Sequence, residues 1–463
     1  MRWGWAKAVR PLTAAIGAFI MVSAGALVAV RSSGSEHVRA ATVPSNTPTG
    51  TTTVTLPPSP TSSTSPPSSS STASITPPLL TTPPPVVLRL ATRLNGTLEG
   101  TNGCLVVSDG SAGPEPLYLH QPTVPFAPAS TQKLLVAATA LSVLGPAFRF
   151  VTKVVAPAAP VAGRVDSLWM VGAGDALLAS PEFMAYTTHM VRVAGYPWTP
   201  LAALADSLGA AGIHSVTGGI RGDDSHFEQL RWLPAWPASY RSDQQIGFLF
   251  ALTLNEGVQT WTPKKSTVAS DPPAFASSEL ARLASARGVA VGATGPDQAA
   301  PANGVVVAQV ESAPLSQVVE AMLRASDNLI AELLVREIDR HVGPADGGTG
   351  SGTTAGGLAV VARRAVGFGV PMEGALMLDG SGLAPGNRAT CTELLAALQL
   401  GARPGLSPVV DGSLKQPEPG RWLLASSALL SRASCGLRRV RSITPAEWSV
   451  SSNSPARSSL PSS

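Results

Sequence analysis

The sequence predicts a mixed α/β (α+β) protein with one or two packed domains behind an exported, Ser/Thr/Pro-rich leader. Residues 88–400 alternate between short apolar runs bounded by Gly or Pro, typical of strands, and longer runs with apolar residues at helical spacing. The chain has 463 residues, of which 44% are hydrophobic and only 13% charged, so it is too apolar to be disordered throughout.

The first 40 residues have the pattern of an export signal. Arg2, Lys7 and Arg10 precede residues 11–30, an uncharged stretch that could span a bilayer if it were helical. Basic residues on the N-terminal flank favour export of the rest of the chain. The small residues around 38–40 would permit cleavage. Residues 1–40 are therefore predicted to be either a cleaved signal peptide or a signal-anchor.

A stalk is predicted between this signal and the first packed domain. Residues 41–87 contain no charged side chain and consist mainly of Ser, Thr and Pro. Such a composition cannot bury a core and favours an extended chain. We expect it to hold the globular part away from a membrane.

Charge and cysteine content exclude several classes of function. The formal net charge is +4, but the excess of basic residues lies in residues 1–40 and 401–463, and the middle of the chain is net acidic. A nucleic-acid-binding core is disfavoured, because it needs clustered Lys and Arg. The three cysteines, Cys104, Cys391 and Cys435, have no CxxC spacing and no nearby His pair, which argues against a zinc site or a disulfide framework. At most one disulfide is expected, and Cys104 is predicted to be a buried free thiol. No cofactor or metal is predicted.

The strongest chemical signal is Ser130-Thr131-Gln132-Lys133, at the start of a helical pattern that ends at Gly145-Pro146. Ser and Lys three residues apart lie on one helix face. A partly buried lysine can lose its proton and act as a base toward the hydroxyl. Backbone N–H groups at a helix start can stabilise an oxyanion. The bare motif is common by chance, so its weight depends on the rest of the chain.

A second element, Ser326-Asp327-Asn328, falls between two helical patterns. Its serine could relay a proton, and its asparagine amide could hold a substrate carbonyl. Alone, these three residues more often cap a helix. Together with Ser130 and Lys133 they form two of the three elements of the penicilloyl-serine acyltransferase signature.

Further stretches, in the same order, resemble the D-alanyl-D-alanine carboxypeptidase/endopeptidase family, the class C low-molecular-mass penicillin-binding proteins of peptidase family S13. They are residues 128–135, 171–175, 222–225, 322–328, 351–357 and 378–383. The resemblance implies a penicillin-binding-protein/β-lactamase-like serine transpeptidase fold, in which helices flank an antiparallel sheet. Its two parts would be residues 88–155 and 306–400, with smaller inserted domains at 156–305.

The resemblance also implies a function in the cell envelope. Ser130 would attack the D-alanyl carbonyl of a peptidoglycan stem peptide, with Lys133 as base, and β-lactams would acylate the same serine. Ser326 would relay protons and Asn328 would orient the substrate. Asp327, Ser381 and Gly382 would help bind it. Contact with a membrane would come only through the N-terminal segment, if it is retained. The resemblance also allows endopeptidase action on cross-links in addition to the carboxypeptidase activity.

The third element, K-T-G, does not occur after Asn328, where the only lysine is Lys415. In the family this element lies on the strand beside the active site and supplies one oxyanion N–H. We expect the terminal strands to be lost, a frameshift or truncation near 400–412 and a divergent tail at 401–463. Loss of one oxyanion donor typically lowers the rate by a factor on the order of 10²–10³. Two alternatives therefore stay open: a stalked cell-wall binding protein without turnover, and a β-lactamase- or esterase-like serine hydrolase.

Overall fold

The computed structural model describes residues 27–31, 85–100, 102–108, 116–190, 193, 195–262, 266–293, 295, 297–415 and 423–424. The predicted signal outside 27–31, the predicted stalk up to residue 84 and the tail beyond 415, apart from 423–424, lie outside the described residues. Within the described part of the chain, no helix is both long enough and apolar enough to cross a bilayer.

The helices are α1 (Pro85–Leu98), α2 (Lys133–Val143), α3 (Pro181–Thr187), α4 (Leu201–Ala210), α5 (Ser239–Ser242), α6 (Pro272–Ser285), α7 (Leu315–Ala325), α8 (Asn328–Val342), α9 (Thr354–Gly367), α10 (Cys391–Gln399) and α11 (Pro408–Ser413). Helices α1, α2, α7 and α8 match helical patterns of the sequence, whereas the helices between residues 181 and 285 lie where strand-like runs and turns are predicted. The fold is mixed α+β, as the sequence predicts.

The strands are mostly short, and many have only two to four residues. They are β1 (Leu27–Arg31), β2 (Gly103–Val107), β3 (Tyr118–His120), β4 (Val151–Ala156), β5 (Arg164–Val165), β6 (Leu168–Val171), β7 (Leu178–Ala179), β8 (Thr199–Pro200), β9 (Ser215–Val216), β10 (Ile220–Asp223), β11 (Val258–Trp261), β12 (Ser266–Val268), β13 (Ala290–Val291), β14 (Val305–Glu311), β15 (Leu414–Lys415) and β16 (Leu423–Leu424).

An antiparallel sheet of order β1-β2-β3 lies between helices. Strand β2 is buried on both faces, because its side chains alternate between two cores. Cys104 and Val106 join the large helical core, whereas Leu105 and Val107 pack with apolar residues of α1. Helices thus flank this sheet on both faces, in agreement with the predicted arrangement.

Part of the segment between β4 and β14 forms a second packed unit with its own core, whereas other residues of the segment join the large helical core. The four-stranded sheet of this unit has the order β10-β6-β4-β14, in which only the β10–β6 pair is parallel. Apolar residues of α4 and α6 cover it, among them Leu204, Leu208 and Leu280. The chain enters this unit through β4 and leaves through the antiparallel β14, where Ala156 pairs with Val305.

Helix α2 lies at the centre of the large core. Residues 133–141 are all buried, which is typical of a helix that is apolar on every side. It packs against α7, α8, α9, α10 and α11. Lys133, at the N-terminus of α2, is therefore held by the packing of these helices.

A disulfide joins Cys104 of β2 to Cys391 at the start of α10. The expectation that Cys104 is a free thiol is wrong. The two cysteines are 287 residues apart, and only the packing of α10 against β2 brings their Cα atoms to 5.9 Å. No spacing rule in the sequence could reveal that proximity.

Candidate active site

Ser130 and Lys133 meet at the turn that begins α2. Residues 129–132 form a 3₁₀ turn, and the α-helix begins at Lys133, two residues later than the pattern predicts. In a 3₁₀ turn residues i and i+3 are eclipsed. Lys133 Nζ consequently lies 3.0 Å from Ser130 Oγ. The sequence prediction that these two side chains share a face is confirmed.

The Lys133 amine is almost fully buried, with 1% of the residue exposed. Besides Ser130 Oγ it donates to Asn328 Oδ1 at 2.7 Å and to the carbonyl oxygen of Ser381 at 2.6 Å. These acceptors come from the start of α8 and from the loop before α10. Three segments that are far apart in the sequence therefore converge on one amine next to one hydroxyl.

Asn328 is the first residue of α8, and both ends of its side-chain amide are used. Its Oδ1 accepts from Lys133, and its Nδ2 donates to the carbonyl of Gln245 at 2.8 Å. Gln245 lies in the segment between β4 and β14. The amide thus links that segment to Lys133, and its orientation is set by both partners.

Ser326 lies at the junction of α7 and α8 in a left-handed backbone conformation, with φ of 57°. Non-glycine residues rarely adopt this region, and such strain tends to occur at functional sites. The residue is half-buried, and its hydroxyl makes no hydrogen bond to another described residue. Its role as a proton relay stays a prediction.

Asp327 is a helix cap in this structure. Its Oδ1 accepts from the Ile330 N–H at 3.0 Å, and its Oδ2 accepts from the Tyr196 hydroxyl at 3.0 Å. The residue is buried. Both carboxylate oxygens of Asp327 therefore already have protein partners. In this structure the carboxylate caps a helix and binds Tyr196.

Residues 378–388, which include Ser381, form a loop beside the Lys133 amine and are called here the wall loop. The Asp379 carboxylate organises it by accepting from the N–H groups of Gly382 and Ala384 and from the Asn387 amide, at 2.6–2.8 Å. Trp236, a residue of the large helical core, donates to the same carboxylate at 2.8 Å. Buried charges need such partners.

Gly382 brings the wall loop into direct contact with the turn that carries Ser130. Its φ is +82°, and a Cβ at this position would overlap the backbone carbonyl of Ala129. Only glycine fits both requirements. Ser381 and Gly382 lie next to the Ser130–Lys133 pair, and the Ser381 backbone carbonyl contacts Lys133. Their role in substrate binding stays a prediction.

Several residues at the site were missed by sequence reasoning. Glu332 lies one turn after Asn328 on α8, and its carboxylate accepts from the N–H groups of Gly380 and Ser381. Burial, together with the nearby Asp379 carboxylate, raises the pKa of Glu332 to about 7. Trp236 and Gln245 were also missed. The spacing of four residues from Asn328 was the one available signal for Glu332.

Chemically, the arrangement joins a nucleophile to a base. The hydroxyl of Ser130 can pass its proton to Lys133, and N–H groups at the start of the turn can stabilise an oxyanion. Lys415, the only lysine after Asn328, lies in the two-residue strand β15.

Comparison with known proteins supports the family resemblance. The sequence model of the D-Ala-D-Ala carboxypeptidase 3 (S13) family matches residues 89–260 and 257–405, which is more than half of the chain. A carboxypeptidase of Mycobacterium tuberculosis is 30% identical over 309 residues, covering 66% of this chain and 62% of that protein. A D-alanyl-D-alanine carboxypeptidase of Actinomadura sp. is 28% identical over 383 residues, covering 66% of each. The chain thus spans slightly less than two thirds of the length of these relatives.

The fold is also similar to that of a solved structure. Penicillin binding protein 4 of Haemophilus influenzae superposes with a TM-score of 0.51 at 17% sequence identity, covering 64% of this chain and 74% of that one. At this identity the likeness concerns the fold alone, and it confirms the predicted fold class.

Proposed function

Because the chain belongs to the D-Ala-D-Ala carboxypeptidase 3 (S13) family, we propose that it is a serine D-alanyl-D-alanine carboxypeptidase that forms an acyl-enzyme on Ser130. The observation that carries the proposal is the convergence of Ser130 Oγ, Asn328 Oδ1 and the Ser381 carbonyl on the buried Lys133 amine. No metal or cofactor is required for this chemistry.

In the acylation step, neutral Lys133 takes the proton of Ser130 Oγ, and the oxygen attacks the carbonyl of the penultimate D-alanine. Backbone N–H groups stabilise the oxyanion. The C–N bond then breaks, and the proton passes from Lys133 to the leaving D-alanine nitrogen, with the Ser326 hydroxyl as relay. Water hydrolyses the ester in the second step, and Lys133 again accepts and returns the proton.

The proposed substrates are the stem peptides of peptidoglycan that end in D-alanyl-D-alanine. β-Lactams would acylate the same hydroxyl, since their strained amide presents a similar carbonyl. An enzyme with this activity would work in the cell envelope. This agrees with the predicted signal at residues 1–40 and the predicted stalk at 41–87.

One observation favours a second candidate function. The sequence has no K-T-G after Asn328. In the family this element supplies one N–H to the oxyanion, and loss of one such donor typically lowers the rate by a factor on the order of 10²–10³. A protein with this pocket and slow turnover would act as a stalked receptor for D-alanyl-D-alanine peptides. Such a protein would bind the peptide without forming the covalent ester.

A fluorescent penicillin tests the proposal on the full chain. Covalent labelling that disappears in Ser130→Ala and persists in Ser278→Ala is the expected result. Ser278 is a matched control because its exposed hydroxyl bonds only its own helix, at the Phe275 carbonyl. Release of D-alanine from a pentapeptide should follow the same pattern. Absence of labelling, combined with peptide binding by calorimetry, would favour the receptor. Ester hydrolysis without D-alanine release would point to an esterase.

A further inference from the structure

A buried carboxylate behind the wall loop has no role in the proposed reaction steps. Glu332 is 0% exposed. Its Oε1 accepts from the Ser381 N–H at 2.7 Å and from the Gly380 N–H at 3.1 Å. Ser381 is also the residue whose carbonyl accepts from Lys133 Nζ at 2.6 Å. A continuous chain of contacts therefore runs from the Glu332 carboxylate through one residue of backbone to the catalytic amine.

We propose that Glu332 is a positioning residue, which fixes the backbone at Gly380 and Ser381 so that the Ser381 carbonyl holds the Lys133 amine beside Ser130. The Glu332 carboxylate binds the Gly380 and Ser381 N–H groups, so it acts through the wall loop. The inference deepens the proposed function and rests on it for its kinetic readout.

The position of Glu332 on α8 supports this role. The same helix supplies Asn328 one turn earlier, so a single rigid element sets two of the Lys133 contacts, one directly and one through Ser381. Placing functional groups on a helix fixes their geometry more tightly than placing them on loops. A misplacement of about 1 Å in such a constellation can cost a factor of about 100 in rate.

The charge of Glu332 is not needed for structure alone, because a neutral amide oxygen could accept the same two N–H bonds. The ionisable groups around Glu332 are the Asp379 carboxylate from the wall loop, the Arg336 guanidinium one turn further along α8, and the Lys133 amine beyond the Ser381 peptide. Arg336 directs its hydrogen bonds elsewhere, to Thr354 and to backbone carbonyls.

Ionisation of Glu332 near neutral pH should therefore change how firmly the Ser381 carbonyl holds the Lys133 amine. Burial and Asp379 raise the pKa of Glu332 to about 7, while the Ser381 and Gly380 N–H bonds favour the charged form. Hydrogen bonds to an ionised acceptor are about twice as strong as those to a neutral one. Protonation loosens the hold on the Gly380–Ser381 backbone, so the acylation rate should drop as the pH falls through this range.

The first experiment measures acylation of Ser130 by a fluorescent penicillin in Glu332→Gln and Glu332→Ala across the neutral range. Glu332→Gln keeps an acceptor and should lose the inflection near neutral pH, with a maximal rate lowered by about 10-fold. Glu332→Ala should lose about 100-fold. The penicillin concentration at half-maximal rate should change little in either variant.

Glu393→Gln is the matched control. Glu393 is also buried, and burial raises its pKa to about 7, but it lies in the capping box of α10 and bonds Thr390. Like Glu332→Gln, it removes a buried carboxyl whose pKa is raised, yet it should keep the pH profile of acylation. An unchanged profile in Glu332→Gln, or an equal change in Glu393→Gln, overturns the proposal.

A second readout does not require catalysis. In full-length protein labelled with ¹⁵N-lysine, the Nζ resonance of Lys133, assigned by its loss in Lys133→Arg, should shift through the neutral range in the wild type and in Glu393→Gln. In Glu332→Gln it should not. If the wild type is not acylated, the proposed function fails, and this resonance still decides the role of Glu332. A resonance that titrates unchanged in Glu332→Gln refutes the positioning role.

Discussion

Replacing Cys104 by Ser is expected to lower the free energy of unfolding by about 3–5 kcal/mol. The disulfide to Cys391 connects β2, the middle strand of the first sheet, to the N-terminus of α10. Helix α10 also packs against α2, which begins directly after the turn that carries Ser130. The crosslink thus joins two segments of the core that contains α2.

The magnitude follows from the length of chain that the disulfide closes. The cysteines are 287 residues apart, and a loop of that length gives about 5–6 kcal/mol in the chain-entropy estimate. Removal of native disulfides costs about 2–5 kcal/mol in practice, because unfolded chains are already partly compact. The substitution would in addition bury the hydroxyl of the introduced serine, since Cys104 is 3% exposed.

Urea unfolding monitored by tryptophan fluorescence measures the effect. With m-values of about 3 kcal/mol per M, the midpoint should fall by at least about 1 M in Cys104→Ser and in reduced wild-type protein. Cys435→Ser is the matched control, because Cys435 is not part of the pair, and it should keep the wild-type midpoint. An unchanged midpoint in Cys104→Ser, or peptide mapping that links Cys104 to Cys435, would refute the reasoning.

Three further predictions concern the site and its supports. Gly382→Ala should reduce penicillin acylation by about 100-fold or more, because a Cβ would displace the Ala129 carbonyl next to the nucleophile; wild-type labelling of this variant would contradict the packing. Asp327→Ala should destabilise the protein by at least about 1 kcal/mol through loss of the α8 cap, with little change in peptide affinity; a selective loss of affinity would instead make Asp327 a substrate ligand. Burial raises the pKa of Glu393 to about 7, so the folded state keeps this proton to a higher pH than the unfolded state does. Its contribution to stability is therefore fully present below about pH 4.5 and is lost as the pH rises toward 7. Glu393→Gln should remove about 3 kcal/mol of that pH dependence in urea unfolding, and an identical pH dependence would disprove the shift.

Local patterns predicted much of the fold. Helical spacing after Ser130, after Leu315 and after Asn328 predicted α2, α7 and α8 within a few residues of their observed bounds. The pairing of Ser130 with Lys133 was predictable for the same reason, because three residues within one turn have few possible geometries. The boundaries of the inserted segment at 156–305 stay a prediction, although β4 and β14 pair at those positions.

Residues with more than one possible role were harder to interpret. Asp327 stands inside a motif that suggested substrate binding, yet its carboxylate caps α8 and accepts from Tyr196. An Asp before a helix satisfies the local rule for an N-cap equally well. Which role applies depends on what lies across from the side chain, and Tyr196 is 131 residues away in the sequence.

Sequence alone thus identified the family and predicted the Ser130–Lys133 pair, because these depend on residue type and on contacts within a single turn. The partners that complete the site were decided by tertiary structure: the Ser381 carbonyl, the Glu332 carboxylate behind it and the Cys104–Cys391 crosslink. Each is a long-range contact, and a backbone carbonyl has no signature in residue type. Such contacts exist only once α8, α10 and the wall loop have packed around α2.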